Sequence, residues 1–173
     1  MAVGQMVESR RYAVIVAGGK GLRMGSEIPK QFLPVRGRPL LMHTLENFHA
    51  FDPSMPLILV LPESQQDYWL RLCREYLFRL PHTVVTGGDT RFQSVLGGLQ
   101  EIQKTVSSSE QPIVVAVHDG VRPLINADLI SDSIACAAQH GNAITVTPAI
   151  ETVISVTPDD EVDNIYDRSL CRL

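Results

Sequence analysis

Five short, almost unbroken apolar runs, separated by longer stretches of helical periodicity, constrain this chain more than any other feature. They lie at residues 12–16, 57–61, 83–86, 113–117 and 143–146. An unbroken run of this length suits a strand covered on both faces, the condition of a parallel sheet sandwiched between helices. Between the runs, Leu41, Leu45 and Phe48 recur at i, i+4, i+7, and so do Trp69, Cys73 and Tyr76. Phe92, Val95, Leu96, Leu99 and Ile102 form the clearest apolar stripe. Ile130, Ile134, Ala137 and Ala138 form another, with Asn126 placed to cap its helix. Such alternation predicts right-handed βαβ units in a mostly parallel, doubly wound α/β sheet.

The pattern changes near Ala149. Residues 152–156 alternate, Pro158-Asp159-Asp160 supplies turn chemistry, and residues 162–166 return. This predicts an antiparallel hairpin appended to the sheet, an arm covering about residues 149–168 of a single domain spanning 1–173. At 45% hydrophobic and 20% charged residues, a chain of 173 can bury a substantial core. The net charge of -4 offers nucleic acid no general attraction, so local cations must carry any phosphate chemistry. Three cysteines without a C-x-x-C pair argue against a disulfide framework or a zinc site, and Cys73 and Cys136 are expected in the core. No apolar run reaches the ~18 residues of a membrane span, and the first ten residues lack a signal-like apolar centre. The expectation is a soluble, cytoplasmic protein with no nucleic-acid or membrane partner.

In doubly wound sheets, ligands bind beyond the carboxyl ends of the strands. The first apolar run leads into Ala17-Gly18-Gly19-Lys20-Gly21-Leu22-Arg23-Met24, where closely spaced glycines let backbone amides approach an anion. Arg23 and, in Pro29-Lys30-Gln31, Lys30 place two cations downstream. The glycine spacing fits neither a Walker A loop nor a G-x-G-x-x-G dinucleotide fingerprint. A plain glycine turn with solvated cations would look the same. The third run ends at Gly87-Gly88-Asp89-Thr90-Arg91, where Asp89 or Thr90 could cap a helix containing Ser94 and an anion or nucleotide sugar would be welcome. The fourth ends at His118-Asp119-Gly120-Val121-Arg122-Pro123. Asp119 is placed to hold a divalent cation, and Arg122 suits a phosphate. A structural Asp–Arg pair is the competing explanation. His118 reads as a packing or hydrogen-bonding residue. Glu151-Thr152 and Asp167-Arg168 flank the hairpin and read by themselves as solvated polar groups.

In order, A-G-G-x-G-x-R-M, P-K-Q-F-L, G-G-D-x-R, H-D-G-V-R-P, E-T and D-R resemble the 2-C-methyl-D-erythritol 4-phosphate cytidylyltransferases across residues 12–173. The resemblance implies a Rossmann-like nucleotidyltransferase sheet that joins CTP to a small polyol phosphate and releases pyrophosphate. It implies that Ala17, Gly18, Gly19 and Gly21 wrap the triphosphate while Arg23 and Lys30 stabilise charge building at the α-phosphorus. Gly88, Asp89 and Ser94 would contact cytosine and ribose, and Asp119 would position Mg2+. Arg122, Thr152 and Arg168 would hold the methylerythritol phosphate, the latter two reaching a partner subunit's site through the arm of a homodimer.

The D-ribitol-5-phosphate cytidylyltransferases share the glycine loop, P-K-Q-F and H-D-x-V-R-P, and the motifs do not separate the two polyols. A nucleotide-binding or dimerisation module without turnover is a second alternative. An NAD-dependent oxidoreductase is a third, with Glu63 near the position of its ribose-binding acid but the wrong glycine spacing. The family continues into a T-P-Q segment, a further helix and strand and another lysine that this sequence lacks. The C-terminal part of the family domain is therefore expected to be absent, and turnover by residues 1–173 alone to be severely impaired.

Overall fold

The run at residues 12–16 becomes the centre of the molecule because it can be covered on both sides. In the computed structural model, which describes residues 9–19, 28–106 and 111–172, it forms β1 (Arg10–Val16). A 3-10 helix follows at Lys30–Phe32, then a small hairpin of β2 (Pro34–Val35) and β3 (Arg38–Pro39). After it come α1 (Leu40–Phe51), β4 (Leu57–Leu61), α2 (Glu63–Glu75), β5 (Thr83–Thr86), α3 (Arg91–Thr105), β6 (Ile113–Asp119) and α4 (Ala127–His140). A second hairpin, β7 (Val153–Val156) and β8 (Val162–Tyr166), precedes a 3-10 turn at Arg168–Leu170.

The main sheet has the order β5-β4-β1-β6, and every pairing in it is parallel. The chain builds outward from β1 through β4 to β5, then crosses back to place β6 on the other side of β1. Between β1 and β6 the direction of winding reverses, so the connections leave a crevice at their carboxyl ends. Register puts Val16 opposite Asp119 there.

Side chains alternate across the sheet. Ala13, Ile15, Leu57, Leu59 and Leu61 face a core shared with Leu41, Leu45 and Phe48 of α1, Trp69 and Leu72 of α2, and Ile130 and Ile134 of α4. Tyr12, Val14, Ile58 and Val60 face the other way, toward Ile102 of α3. Burying each of the large side chains contributes about 1.5–3 kcal/mol. Trp69 has no exposed surface, and its indole N–H donates to His82 Nε2 at 3.0 Å.

Three expectations change. Residues 143–146 do not form a strand. A cleft separates Ala143, Ile144 and Thr145 from β6. The segment pairs with no strand among the described residues, and Ile144 stays 82% exposed. Cys136 lies on the exposed side of α4, whereas Cys73 packs against the core. Helix α3 turns Ser94, Gly98 and Ile102 inward and leaves Phe92, Leu96 and Leu99 exposed. The cause is Gly98: a Cβ there would lie 2.6 Å from Val14 Cγ1, so the helix sits closer to the sheet than its apolar stripe would allow.

Candidate functional site

The parallel sheet brings the ends of β1, β4, β5 and β6 to one edge, and hydrogen bonds beyond the strands lock them together. Ala17 N–H donates to Val60 O at 2.9 Å, Gly87 N–H to Leu61 O at 2.8 Å, and Gly120 N–H to Val16 O at 2.8 Å. Residues distant in sequence thereby share one rim. Ala17 is buried, with Gly18 and Gly19 following it. Gly21 and Arg23, also assigned to the phosphate loop, lie outside the described residues.

The Pro29-Lys30-Gln31 segment is tied to this rim by Gln31. Its side chain is fully buried and donates from Nε2 to Ala17 O at 2.9 Å and to Gln65 Oε1 at 2.6 Å. Phe32 next to it anchors on Tyr68 and Trp69, with ring centroids 5.0 and 6.2 Å away. Lys30 is thereby fixed through its backbone beside β1 while its side chain stays exposed. Gln31 was legible as part of a motif, but its anchoring role was not. Its Nε2 finds acceptors 14 and 34 residues away, while the buried Oε1 has no partner among the described residues.

Beyond β5, Thr90 caps α3 in a reciprocal capping box with Gln93. Thr90, not Asp89, is the capping residue, so the exposed Asp89 carboxylate is left for other contacts. Ser94 lies a turn inside the helix, is buried, and donates from Oγ to Gly88 O at 3.3 Å. A Cβ on Gly18 would lie 4.0 Å from Ser94 Oγ, and one on Gly87 would lie 3.0 Å from it. The glycine loop after β1 and the loop after β5 are therefore near neighbours around one hydroxyl.

Asp119 ends β6 at the crevice with its side chain 29% exposed. Each carboxylate oxygen holds one guanidinium: Arg91 Nη2 lies 3.1 Å from Oδ1, and Arg122 Nε lies 3.0 Å from Oδ2. The local Asp–Arg pair weighed from the sequence exists, and Arg91 joins it from the first turn of α3. Gly120 is required by packing, because a Cβ there would fall 2.9 Å from both Ala17 Cβ and Leu41 Cδ1. His118 does what its sequence context suggests: Nε2 contacts Arg122 O at 2.9 Å and the ring packs 5.1 Å from Phe48. A cleft of about 870 Å3 opens from Arg91, Asp119 and Arg122 along β6 and α4, where its walls become apolar.

Thr152 and Arg168 belong to the hairpin rather than to this rim. Both are exposed, and Arg168 Nη1 donates to Ile150 O at 3.2 Å. The hairpin's base is closed by Ala149 N–H donating to Cys171 O at 3.2 Å, while Ile154 and Ile165 stand exposed on its strands.

Among the described residues, no group of three or more His, Cys, Asp or Glu is placed to hold a metal ion. The partly exposed Asp119 carboxylate, once one of its two guanidiniums is exchanged, fits Mg2+, which keeps several waters and binds through one or two carboxylates plus substrate phosphates. No helix among the described residues is long and apolar enough to cross a membrane.

Comparison with known proteins gives one family. The model for "IspD: 2-C-methyl-D-erythritol 4-phosphate cytidylyltransferase" matches residues 12–172. A protein of that name from Bacteroides thetaiotaomicron is 49% identical over 148 residues, covering 86% of this chain and 64% of its own length. A ribitol-5-phosphate cytidylyltransferase from Vibrio parahaemolyticus is 38% identical over 162 residues, covering 93% of this chain and 67% of its own. The structure of 4-diphosphocytidyl-2C-methyl-D-erythritol synthase from Anaerococcus prevotii superposes with a TM-score of 0.74 at 27% identity, covering 97% of this chain and 68% of that one. The chain thus spans about two thirds of the length of these three proteins.

Proposed function

The chain belongs to the 2-C-methyl-D-erythritol 4-phosphate cytidylyltransferase family, and from that premise we propose that it transfers CMP from CTP to 2-C-methyl-D-erythritol 4-phosphate. The products are 4-diphosphocytidyl-2-C-methyl-D-erythritol and pyrophosphate, a step in non-mevalonate isoprenoid precursor synthesis. The observation that carries the reading is the crevice between β1 and β6, where a glycine-flanked strand end faces Asp119 and its two arginines. Methylerythritol is preferred to ribitol because relatives named for it reach 50% identity against 38%.

In the reaction, an oxygen of the methylerythritol phosphate forms a bond to the α-phosphorus of CTP. The bond from that phosphorus to the β-bridging oxygen breaks, and pyrophosphate leaves with the electron pair. The nucleophile is already ionised, so no general base is needed. The protein's task is to hold two polyanions together and to stabilise charge on the α-phosphoryl oxygens. Ala17, Gly18, Gly19 and Gly21 wrap the triphosphate, and Arg23 and Lys30 neutralise the α-phosphoryl group as charge develops. Gly88, Asp89 and Ser94 contact the nucleoside. Asp119 would hold a divalent cation, Mg2+, and that cation would supply positive charge to offset the negative charge of the phosphates. Arg122 grips the phosphate of the second substrate.

Thr152 and Arg168 serve the same substrate in the other subunit of a homodimer formed through the hairpin, acting in the cytoplasm. Support comes from the arm itself: a lone two-stranded hairpin is marginal in water, and this one exposes Ile154 (46%) and Ile165 (67%). The assay monitors pyrophosphate with CTP, Mg2+ and each of the two polyol phosphates. Release faster with methylerythritol phosphate than with ribitol phosphate is expected. Release with ribitol phosphate alone would reassign the substrate. No release with either, together with no CTP binding by calorimetry, would overturn the reading.

A further inference from the structure

We propose that Arg91 is a positioning residue that occupies Oδ1 of Asp119 until a metal–nucleotide complex arrives, and then transfers its charge to the triphosphate. The inference rests on the cytidylyltransferase reading and assigns a role to a residue of that site which the reaction above leaves without one.

Arg91 occupies an awkward position. It is the first residue of α3, where the positive end of a fifteen-residue helix disfavours another cation. Its guanidinium nevertheless points to Asp119, 28 residues away on β6. Two guanidiniums from different elements thus converge on one carboxylate at the mouth of the crevice. Such an arrangement carries surplus positive charge and is ready for a polyanion.

The two arginines on Asp119 differ in how they are held. Arg122 is part of the same turn, with its own N–H donating to Asp119 O at 3.0 Å, so its side chain remains beside the carboxylate whatever α3 does. Both side chains are largely exposed, Arg91 at 62% and Arg122 at 75%, so exposure does not separate them; what does is that Arg91 reaches Asp119 from another element. A cation at Asp119 needs at least one carboxylate oxygen, and both are taken. The Arg91 contact is the one that can be exchanged. The same helix carries Ser94, against which both glycine loops pack, so a nucleotide seated there lies within reach of the released guanidinium.

The test uses Mn2+ binding followed by electron paramagnetic resonance without nucleotide, and CTP binding by calorimetry in EDTA. Arg91→Gln is expected to tighten Mn2+ and to weaken metal-free CTP, each by about two- to fivefold, the range for an exposed ion pair. Arg91→Lys keeps the charge and is expected to restore both values toward those of the unaltered protein. Phe92→Ala, a change at a neighbouring exposed side chain, is expected to move neither. A purely structural role for Arg91 would weaken both ligands together. Mn2+ affinity that is unchanged or lower in Arg91→Gln, with a melting temperature equal to that of the unaltered protein, overturns the proposal. If the unaltered protein binds neither CTP nor Mn2+, the cytidylyltransferase reading fails and this inference fails with it. Normal binding by the unaltered protein and by Arg91→Gln alike removes the inference alone.

Discussion

Two adjacent glycines in α3 should respond to the same substitution with opposite signs. Gly97 and Gly98 both sit in the helix interior, where replacing glycine by alanine contributes about 0.8–1 kcal/mol through backbone entropy. At Gly97 the new methyl would meet Thr86 O at 3.5 Å and Val85 Cγ1 at 3.9 Å, which is ordinary contact. At Gly98 it would lie 2.6 Å from Val14 Cγ1 and 3.2 Å from both Val14 Cγ2 and Val60 Cγ2. Val14 is fully buried on the central strand, and a β-branched side chain has little rotamer freedom with which to retreat. Overpacking of this kind costs about 1–3 kcal/mol. Gly97→Ala is therefore expected to stabilise by up to about 1 kcal/mol. Gly98→Ala should be destabilising by about 0–2 kcal/mol once both effects are combined. The gap of about 1–3 kcal/mol corresponds to roughly 2–12 °C in melting temperature for a domain of this size. Thermal unfolding of the two variants side by side measures it. Equal stabilisation by both would show that α3 does not approach the sheet through Gly98, and the placement of Arg91 and Ser94 at the crevice would lose its support.

Lys30→Ala is expected to lower turnover by roughly 100-fold with a smaller change in KM, because its contact is assigned to the transition state; a large rise in KM with turnover intact would make it a ground-state binding residue. Asp119→Asn should weaken Mn2+ binding while leaving metal-free CTP binding intact or tighter, since it removes negative charge from the crevice; an unchanged Mn2+ isotherm would place the metal elsewhere. His82 accepts from the Trp69 indole at Nε2 and donates from Nδ1 to Leu80 O at 2.8 Å, and burial holds its pKa below the ordinary 6.5. The folded state thus favours neutral His82, so its contribution is full above about pH 6.5 and is lost as pH falls below that value. The stability advantage of the unaltered protein over His82→Gln should shrink on acidification, and an advantage that grows would reverse the sign of this linkage. Ile165→Asp on the exposed hairpin should shift a dimer toward monomer in sedimentation, and an unchanged sedimentation coefficient would move the interface off the arm.

Much of the fold is legible locally because strand and helix periods are properties of adjacent residues. The runs at 12–16, 57–61, 83–86 and 113–117 become parallel strands, and the alternation after Ala149 becomes a hairpin. The run at 143–146 has a similar composition but pairs with no strand among the described residues, and pairing cannot be read from one segment. The motifs marked the loops at the sheet's carboxyl edge, since chain direction and strand order bring such loops together in any doubly wound fold. Asn126 capped α4 as its residue type suggests, with Leu129 N–H donating to its side chain at 2.9 Å.

By itself, then, the sequence determined the α/β alternation and the hairpin, and it marked the loops at the strand ends. All of these depend on residue type and spacing over a few positions. Only the tertiary structure decided which face of α3 is buried, that Gln31 anchors the segment carrying Lys30, and that Arg91 shares Asp119 with Arg122. Those outcomes depend on distances between residues 14 to 84 positions apart along the chain, where a glycine's missing side chain or a guanidinium's reach is set by how whole elements pack.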